Sequence, residues 1–349
     1  MIPKEYSCLE YWRKRYYSTP LKMEFNAKTK KAFNQWQKKF RIRFLECLGK
    51  VPREKSKLEI KVLGSVETQA FVRKKIVYNA DLGAKIPAYL FIPKNADFPV
   101  PAVICPHGHG RGKDDAAGVT NTKGDGEWVA KYNYDYAGQF AKRGYVTLAP
   151  DLRCFGERVD DPEKVYGMVK SEEGDHWCDI NFVMGMLIGY NLLTLHIYDI
   201  GRGLDVLLSL DEVDENRIGC AGLSQGGTTA LFSTAYDDRI KVACVSGYIS
   251  LWKEFAIEPG GLCGSQILPG LLEYGDIPEV CGLICPRPLF IESGIDDEIF
   301  PIDVTRRAVR RVRKIYKAAG VPGKLKVQMF EGGHMFKGDK VFGFFEKWL

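Results

Sequence analysis

From about residue 100 onward the chain alternates short apolar runs with amphipathic stretches, and this alternation constrains its fold more than any other feature. The apolar runs are 102–105, 145–149, 217–221, 242–246, 288–292 and 325–330, and the helix-like stretches are 134–142, 197–210, 225–236, 303–319 and 340–348. Short runs apolar at nearly every position fit strands buried on both faces, and interleaved helices supply the cover. The pattern predicts an α/β fold with a mostly parallel central sheet flanked by helices. The stretch 303–319 illustrates the helices. Val304, Ala308, Val312, Ile315 and Ala319 share one face, Arg306, Arg307, Arg310, Arg313, Lys314 and Lys317 lie mostly elsewhere, and Gly320 and Pro322 end it.

Upstream, 58–63, 70–78 and 86–92 read as antiparallel strands, and residues 1–58 read as helical, ending near Gly49 with Pro52 beyond it. The expected organisation is an N-terminal helical extension over 1–58 and one larger domain over 59–349. Two stretches break the alternation: 107–132, rich in glycine and charge, and 153–190, read as an insertion near the site.

The formal net charge is +6, but residues 1–60 carry 16 Lys/Arg against 6 Asp/Glu. Such a basic segment attracts nucleic acid or acidic membranes when unpartnered. Here Phe33, Trp36, Phe40 and Phe44 recur at helical spacing, which favours a packed amphipathic helix with a solvated basic face, so neither partner is expected. The start of the chain lacks an apolar signal region, and the longest apolar stretch, 182–195, is too short for a bilayer and contains Gly and Asn. The ten cysteines show no C-x-x-C, and three of them (Cys105, Cys220, Cys244) fall in strand-like runs. Reduced thiols and a cytoplasmic location are the expectation.

Chemistry concentrates at Gly222-Leu223-Ser224-Gln225-Gly226-Gly227, between an apolar run and a helix-like run. G-x-S-x-G in a strand–turn–helix context holds a serine on a strained elbow, its hydroxyl clear of the sheet. The glycines allow close packing, and the Gln225 N–H at the helix start can face a developing oxyanion. A serine hydroxyl needs a base. Of five histidines, His334 follows the last strand in Glu331-Gly332-Gly333-His334-Met335, where a loop can bring the imidazole over the sheet edge. An imidazole base needs a carboxylate to set its tautomer, and Asp296 or Asp297, after the preceding strand, offers one. The order is Ser…Asp…His. Cys105-Pro106-His107-Gly108-His109-Gly110, after the first parallel strand, offers a second oxyanion donor in the His109 N–H, with His107 read as structural. His107 and His109 as a metal pair make a weak motif with no evident third ligand, so no metal is expected.

Two further segments extend the pattern. Ala149-Pro150-Asp151-Leu152-Arg153-Cys154-Phe155-Gly156-Glu157-Arg158 is similar to a D-x-R-G-x-G-x-S segment, with Cys154 in place of a glycine, and Cys285-Pro286-Arg287-Pro288-Leu289 is similar to an A-P-R-P-L segment leading into a strand. Together these residues resemble the α/β-hydrolase superfamily, in its dienelactone-hydrolase-like and acetylxylan-esterase-like branch, over about residues 60–349. The resemblance implies an α/β-hydrolase fold, a serine esterase, and no cofactor. It also favours Asp297 over Asp296, because the segment reads G-x-x-D-x-x-F-P, like the acid loop of that superfamily; Asp296 then caps the turn.

The expected activity is hydrolysis of carboxylic esters, acetyl or other short-acyl, by Ser224, His334 and Asp297 through an acyl-enzyme, with His109 and Gln225 forming the oxyanion hole. A small-molecule ester is the expected partner, and a homo-oligomer stays open. His176, Trp177 and Arg153 are candidate substrate contacts, Arg153 also being readable as a structural partner of Asp151. The glycine-rich stretch 260–270 is placed near the catalytic edge. Met184, Met186 and Leu187 are read as core rather than as pocket lining. The rival readings are a serine peptidase, for which roughly 100 residues before the first parallel strand leave no room for a propeller, and a binding protein that keeps the fold without activity.

Overall fold

The computed structural model describes residues 3–52, 56–160, 177–259 and 262–349. Among these residues, nine strands form one sheet: β1 (Lys61–Glu67), β2 (Phe71–Asn79), β3 (Lys85–Pro93), β4 (Val100–Ile104), β5 (Val146–Pro150), β6 (Val213–Leu223), β7 (Val242–Ser246), β8 (Leu289–Gly294) and β9 (Leu325–Phe330). Their order is β1-β2-β3-β5-β4-β6-β7-β8-β9. The first three strands form an antiparallel meander, β3 pairs antiparallel with β5, and every pairing from β5 to β9 is parallel.

Among the described residues, eleven α-helices accompany the sheet: α1 (Cys8–Ser18), α2 (Lys30–Cys47), α3 (Lys113–Ala116), α4 (Lys123–Tyr132), α5 (Tyr136–Ala141), α6 (Trp177–Leu187), α7 (Leu192–Leu207), α8 (Gln225–Tyr236), α9 (Ile277–Ile284), α10 (Ile302–Ala318) and α11 (Val341–Trp348). The period-2 alternation of the strands divides the core between two faces. Ala102 and Ile104 of β4 pack with α7, and Ala243 and Val245 of β7 pack with α2, α8, α9 and α10. Val103, Val242 and Cys244 point the other way, towards α5 and α11.

The basic N-terminal segment is part of this packing. Thr29 caps α2 by accepting the Ala32 N–H, and Phe33, Phe40 and Phe44 are buried in the apolar cluster shared with α8 and α9. Arg41 donates to the carbonyls of Ala235 and Tyr236 (3.0 and 3.1 Å), where α8 leaves acceptors unpaired and a cation is favoured. No described helix is long and apolar enough to cross a membrane.

Three local expectations differ from the structure. β1 begins three residues later than its apolar run, at Lys61. All seven of its residues are exposed and a bulge lies between Val62 and Gly64, so no buried face sets its register. α9 is only eight residues long and buried at every position; its sequence signal is the capping box of Asp276 and Glu279. The apparently irregular 107–132 contains α3 and α4, the latter opened by a Thr122/Asp125 capping box.

The sheet also locates the site. The chain leaves β4 towards β5 on one side and returns to β6 on the other. Loops at the carboxyl ends of β4 and β6 therefore diverge, which opens a crevice at the switch point. The His107–Gly110 loop follows β4, and Ser224 follows β6.

Candidate active site

Ser224 sits between β6 and α8 at φ 60°, ψ −120°, a region non-glycine residues seldom occupy. Holding a side chain there costs about 1–3 kcal/mol, and the surroundings enforce it. The Ser224 N–H donates to the Ser246 carbonyl at 3.0 Å. A Cβ on Gly222 would lie 2.3 Å from the Gly226 carbonyl oxygen, and one on Gly226 would lie 2.2 Å from that of Pro106. Both glycines are thus required for strand, helix and β4 loop to meet. The Gln225 N–H is the first of α8 and has no acceptor within the helix. The Gln225 side chain is anchored away from the elbow, donating to the Ser265 carbonyl (3.2 Å) and accepting from the Ser265 hydroxyl (3.1 Å).

The loop after β4 runs against this elbow: a Cβ on Gly108 would lie 3.4 Å from the Ser224 Cβ. His107 is fully buried and its Nε2 accepts the Leu152 N–H at 3.0 Å, tying this loop to the one after β5. Burial lowers its pKa to about 4, so it stays neutral near pH 7. His109 is exposed, with its Nε2 3.4 Å from the Cys263 sulfur.

Asp297 and His334 meet across two loops. Asp297 Oδ2 lies 2.8 Å from His334 Nδ1, while Oδ1 accepts the N–H groups of Ile299 and Phe300, both at 2.9 Å. The carboxylate is buried, and three contacts fix its direction. Asp296 is exposed and enters the turn through its backbone, donating its N–H to the Gly332 carbonyl at 3.0 Å. The imidazole of His334 stacks on Phe300 with ring centroids 5.7 Å apart. It also lies over Gly247, where a Cβ would come within 3.0 Å of the ring. Gly247 and the buried Glu292 are site-shaping residues that local sequence patterns did not indicate, because each acts on a segment distant in the chain.

Ser224 and His334 line one cavity of about 400 Å³, walled by Trp128, Tyr132, Tyr134, Phe255, Leu262 and Phe300. Cys263 and Gln266 of the stretch 260–270 line it as well, whereas Gly260 and Gly261 lie outside the described residues. His176 also lies outside them.

Two of the proposed substrate contacts are placed elsewhere. Trp177 is buried at the start of α6 in the apolar cluster with Leu152 and Phe155, and does not line the cavity. Arg153 is committed to two carboxylates, with its Nε 2.9 Å from Asp199 and a terminal nitrogen 2.7 Å from Asp81. The Asp151–Arg153 pair is not formed either. Asp151 faces Lys113, with Nζ at 3.0 Å and the Lys113 N–H at 2.7 Å. Met184, Met186 and Leu187, expected in the core, are exposed on α6. The turn at Cys154 keeps a glycine-like backbone, with φ 73°.

Glu292 lies within β8 beneath the loop that follows His334, accepting the N–H groups of Lys337 (3.0 Å) and Gly338 (3.3 Å). Burial pushes its pKa up to about 7. Between the ordinary value near 4.5 and 7, the folded protein keeps a proton that the unfolded chain has lost. Stability from this group is therefore present at low pH and is lost as pH rises through that window, by about 3 kcal/mol. Glu292→Gln should remove the loss. In urea unfolding at pH 5 and pH 8, the variant is expected to gain on the wild type as pH rises. His107 and His196, whose pKa values burial lowers, contribute in the opposite sense and cancel in the comparison. A constant difference between variant and wild type would contradict the assignment.

The chain matches known proteins along most of its length. The Abhydrolase family model matches residues 16–245. The "Putative hydrolase YtaP" of Bacillus subtilis is 26% identical over 319 residues, covering 88% of this chain and 98% of that protein. Among solved structures, a "putative acetyl xylan esterase" from Bacteroides fragilis aligns with a TM-score of 0.76 at 20% identity, over 93% of this chain and 82% of the other. A glucuronoyl esterase from Solibacter usitatus aligns with a TM-score of 0.64 at 17% identity, over 90% of this chain and 93% of the other. At these identities the structural likeness is one of fold.

Proposed function

The chain belongs to the Abhydrolase family and has the α/β-hydrolase fold, and from that premise we propose that it is a serine esterase acting on acetyl or other short-acyl esters. The observation that carries the reading is the 2.8 Å contact between Asp297 Oδ2 and His334 Nδ1, with His334 lining the same cavity as the strained Ser224.

With Nδ1–H held by Asp297, His334 presents an unprotonated Nε2 to the cavity. That nitrogen takes the Ser224 proton as Oγ attacks the ester carbonyl. The N–H groups of Gln225 and His109 receive the tetrahedral oxyanion. His334 returns the proton to the leaving alcohol, and the acyl-enzyme remains. Water, deprotonated by His334, then attacks the acyl carbonyl, releases the acid and restores Ser224.

The short-acyl preference rests on the size of the cavity and its aromatic wall. The names borne by the Bacteroides and Solibacter structures make carbohydrate esters the natural substrates to try. A p-nitrophenyl series from acetate to decanoate tests the preference. The expected result is highest kcat/KM with acetate, falling by about tenfold or more by octanoate, since one misplaced methylene costs on the order of 1 kcal/mol. A rate that rises with chain length would contradict the short-acyl reading, and no turnover of any ester by folded protein would contradict esterase activity.

A further inference from the structure

We propose that His109, Cys178 and Cys263 form a binding site for a thiophilic divalent ion of the zinc type, set in the wall of the cavity beside Ser224. Their ligand atoms come from three separate segments, the β4 loop, the start of α6 and the loop after β7, yet all lie within 4.8 Å of one another. The pattern of the sequence hid the group, because neither cysteine is near His109 in the chain and His107, the apparent partner, is buried against Leu152.

The geometry suits a tetrahedral ion. Bonds of about 2.0 Å to nitrogen and 2.3 Å to sulfur place those two ligand atoms roughly 3.5 Å apart. His109 Nε2 and Cys263 Sγ are already 3.4 Å apart, and the Cys178 sulfur lies within 4.8 Å of both. Imidazole and two sulfurs form the donor set that selects zinc-like ions over magnesium or calcium.

The surroundings hold these ligands in place, as supporting contacts do at metal sites. The Ser265 hydroxyl lies 3.0 Å from Cys263 Sγ and also bonds the Gln225 side chain. Asp179, next to Cys178, accepts the Gly264 N–H at 2.8 Å and so joins α6 to the loop carrying Cys263. The His109 ring packs edge-on against Phe155, with centroids 5.2 Å apart. His109 and Cys263 both line the cavity, which gives the ion a path and leaves its fourth position to water. Binding breaks two S–H bonds and forms two metal–sulfur bonds, the protons passing to solvent; nothing is oxidised or reduced. The site does not depend on the esterase reading, and its test is one of binding rather than turnover.

The test is titration of Co²⁺ into fully reduced, metal-stripped protein. The expected result is a near-ultraviolet thiolate-to-cobalt absorption that saturates at one ion per chain and is bleached by Zn²⁺. Cys178→Ser and Cys263→Ser should each weaken binding by roughly 100-fold or more, while Cys47→Ser leaves it unchanged, with melting curves showing that the variants are folded. In the unaltered protein, Zn²⁺ should slow alkylation of Cys263, a readout that needs no variant. Absence of the absorption, its persistence in both serine variants, or alkylation of Cys263 at the same rate with and without Zn²⁺ would overturn the proposal.

Discussion

Ser224→Ala is expected to lower kcat/KM for a short-acyl ester by on the order of 10⁴- to 10⁶-fold, the scale seen when the nucleophile of such a group is removed. What remains is whatever the oxyanion donors and the cavity supply on their own. The loss should appear without unfolding. The strain at φ 60° belongs to the backbone and Cβ, which alanine keeps, and the anchoring bond runs from the Ser224 N–H to the Ser246 carbonyl. Melting curves of the two proteins should therefore nearly coincide. A folded alanine variant within tenfold of the wild type would mean that another group attacks the ester.

Asp297→Asn is expected to cost about 10⁴-fold in kcat, and Asp296→Asn less than about threefold. The difference follows from the contacts. Asparagine at 297 can keep its carbonyl oxygen on the Ile299 and Phe300 N–H groups, where Oδ1 of the aspartate now sits. Its amide then faces His334 Nδ1 in place of Oδ2. An amide donates there, so Nδ1 must accept and the imidazole proton moves to Nε2. Such a histidine cannot take a proton from Ser224. The carboxylate of Asp296 has no comparable position; its residue is exposed and contributes its backbone N–H to the turn. Measured kcat values for the two variants decide the matter, and the reverse ranking would assign the acid to Asp296.

Some of this architecture was legible from local pattern alone. β7, β9 and α8 occupy the residues expected of them: β7 is buried at every position and reads as a nearly unbroken apolar run, β9 keeps apolar residues at Leu325, Val327, Met329 and Phe330, and the elbow motif marks its own strand and helix. Where burial and period part company, the pattern failed. α9 is only eight residues long and buried all round, and β1 is exposed all round, so neither has one buried and one exposed face.

The candidate site divides in the same way. Ser224, Asp297 and His334 stand out because each follows a strand end, and in a parallel sheet those ends share one edge. Contacts between segments far apart in the chain have no such signature. The Asp151–Arg153 pairing expected from proximity gives way to Asp151–Lys113 and to Arg153 with Asp81 and Asp199. Gly247 under the imidazole, Glu292 beneath the histidine loop, and the gathering of His109, Cys178 and Cys263 likewise emerge only when the chain is folded.

The most direct test of the central claim is covalent capture of the nucleophile with a fluorophosphonate, read by intact mass and peptide mapping. The account predicts one adduct per chain, located on Ser224, absent from Ser224→Ala and formed far more slowly in His334→Ala. An adduct on any other residue, or none on a protein that turns over p-nitrophenyl acetate, would contradict it.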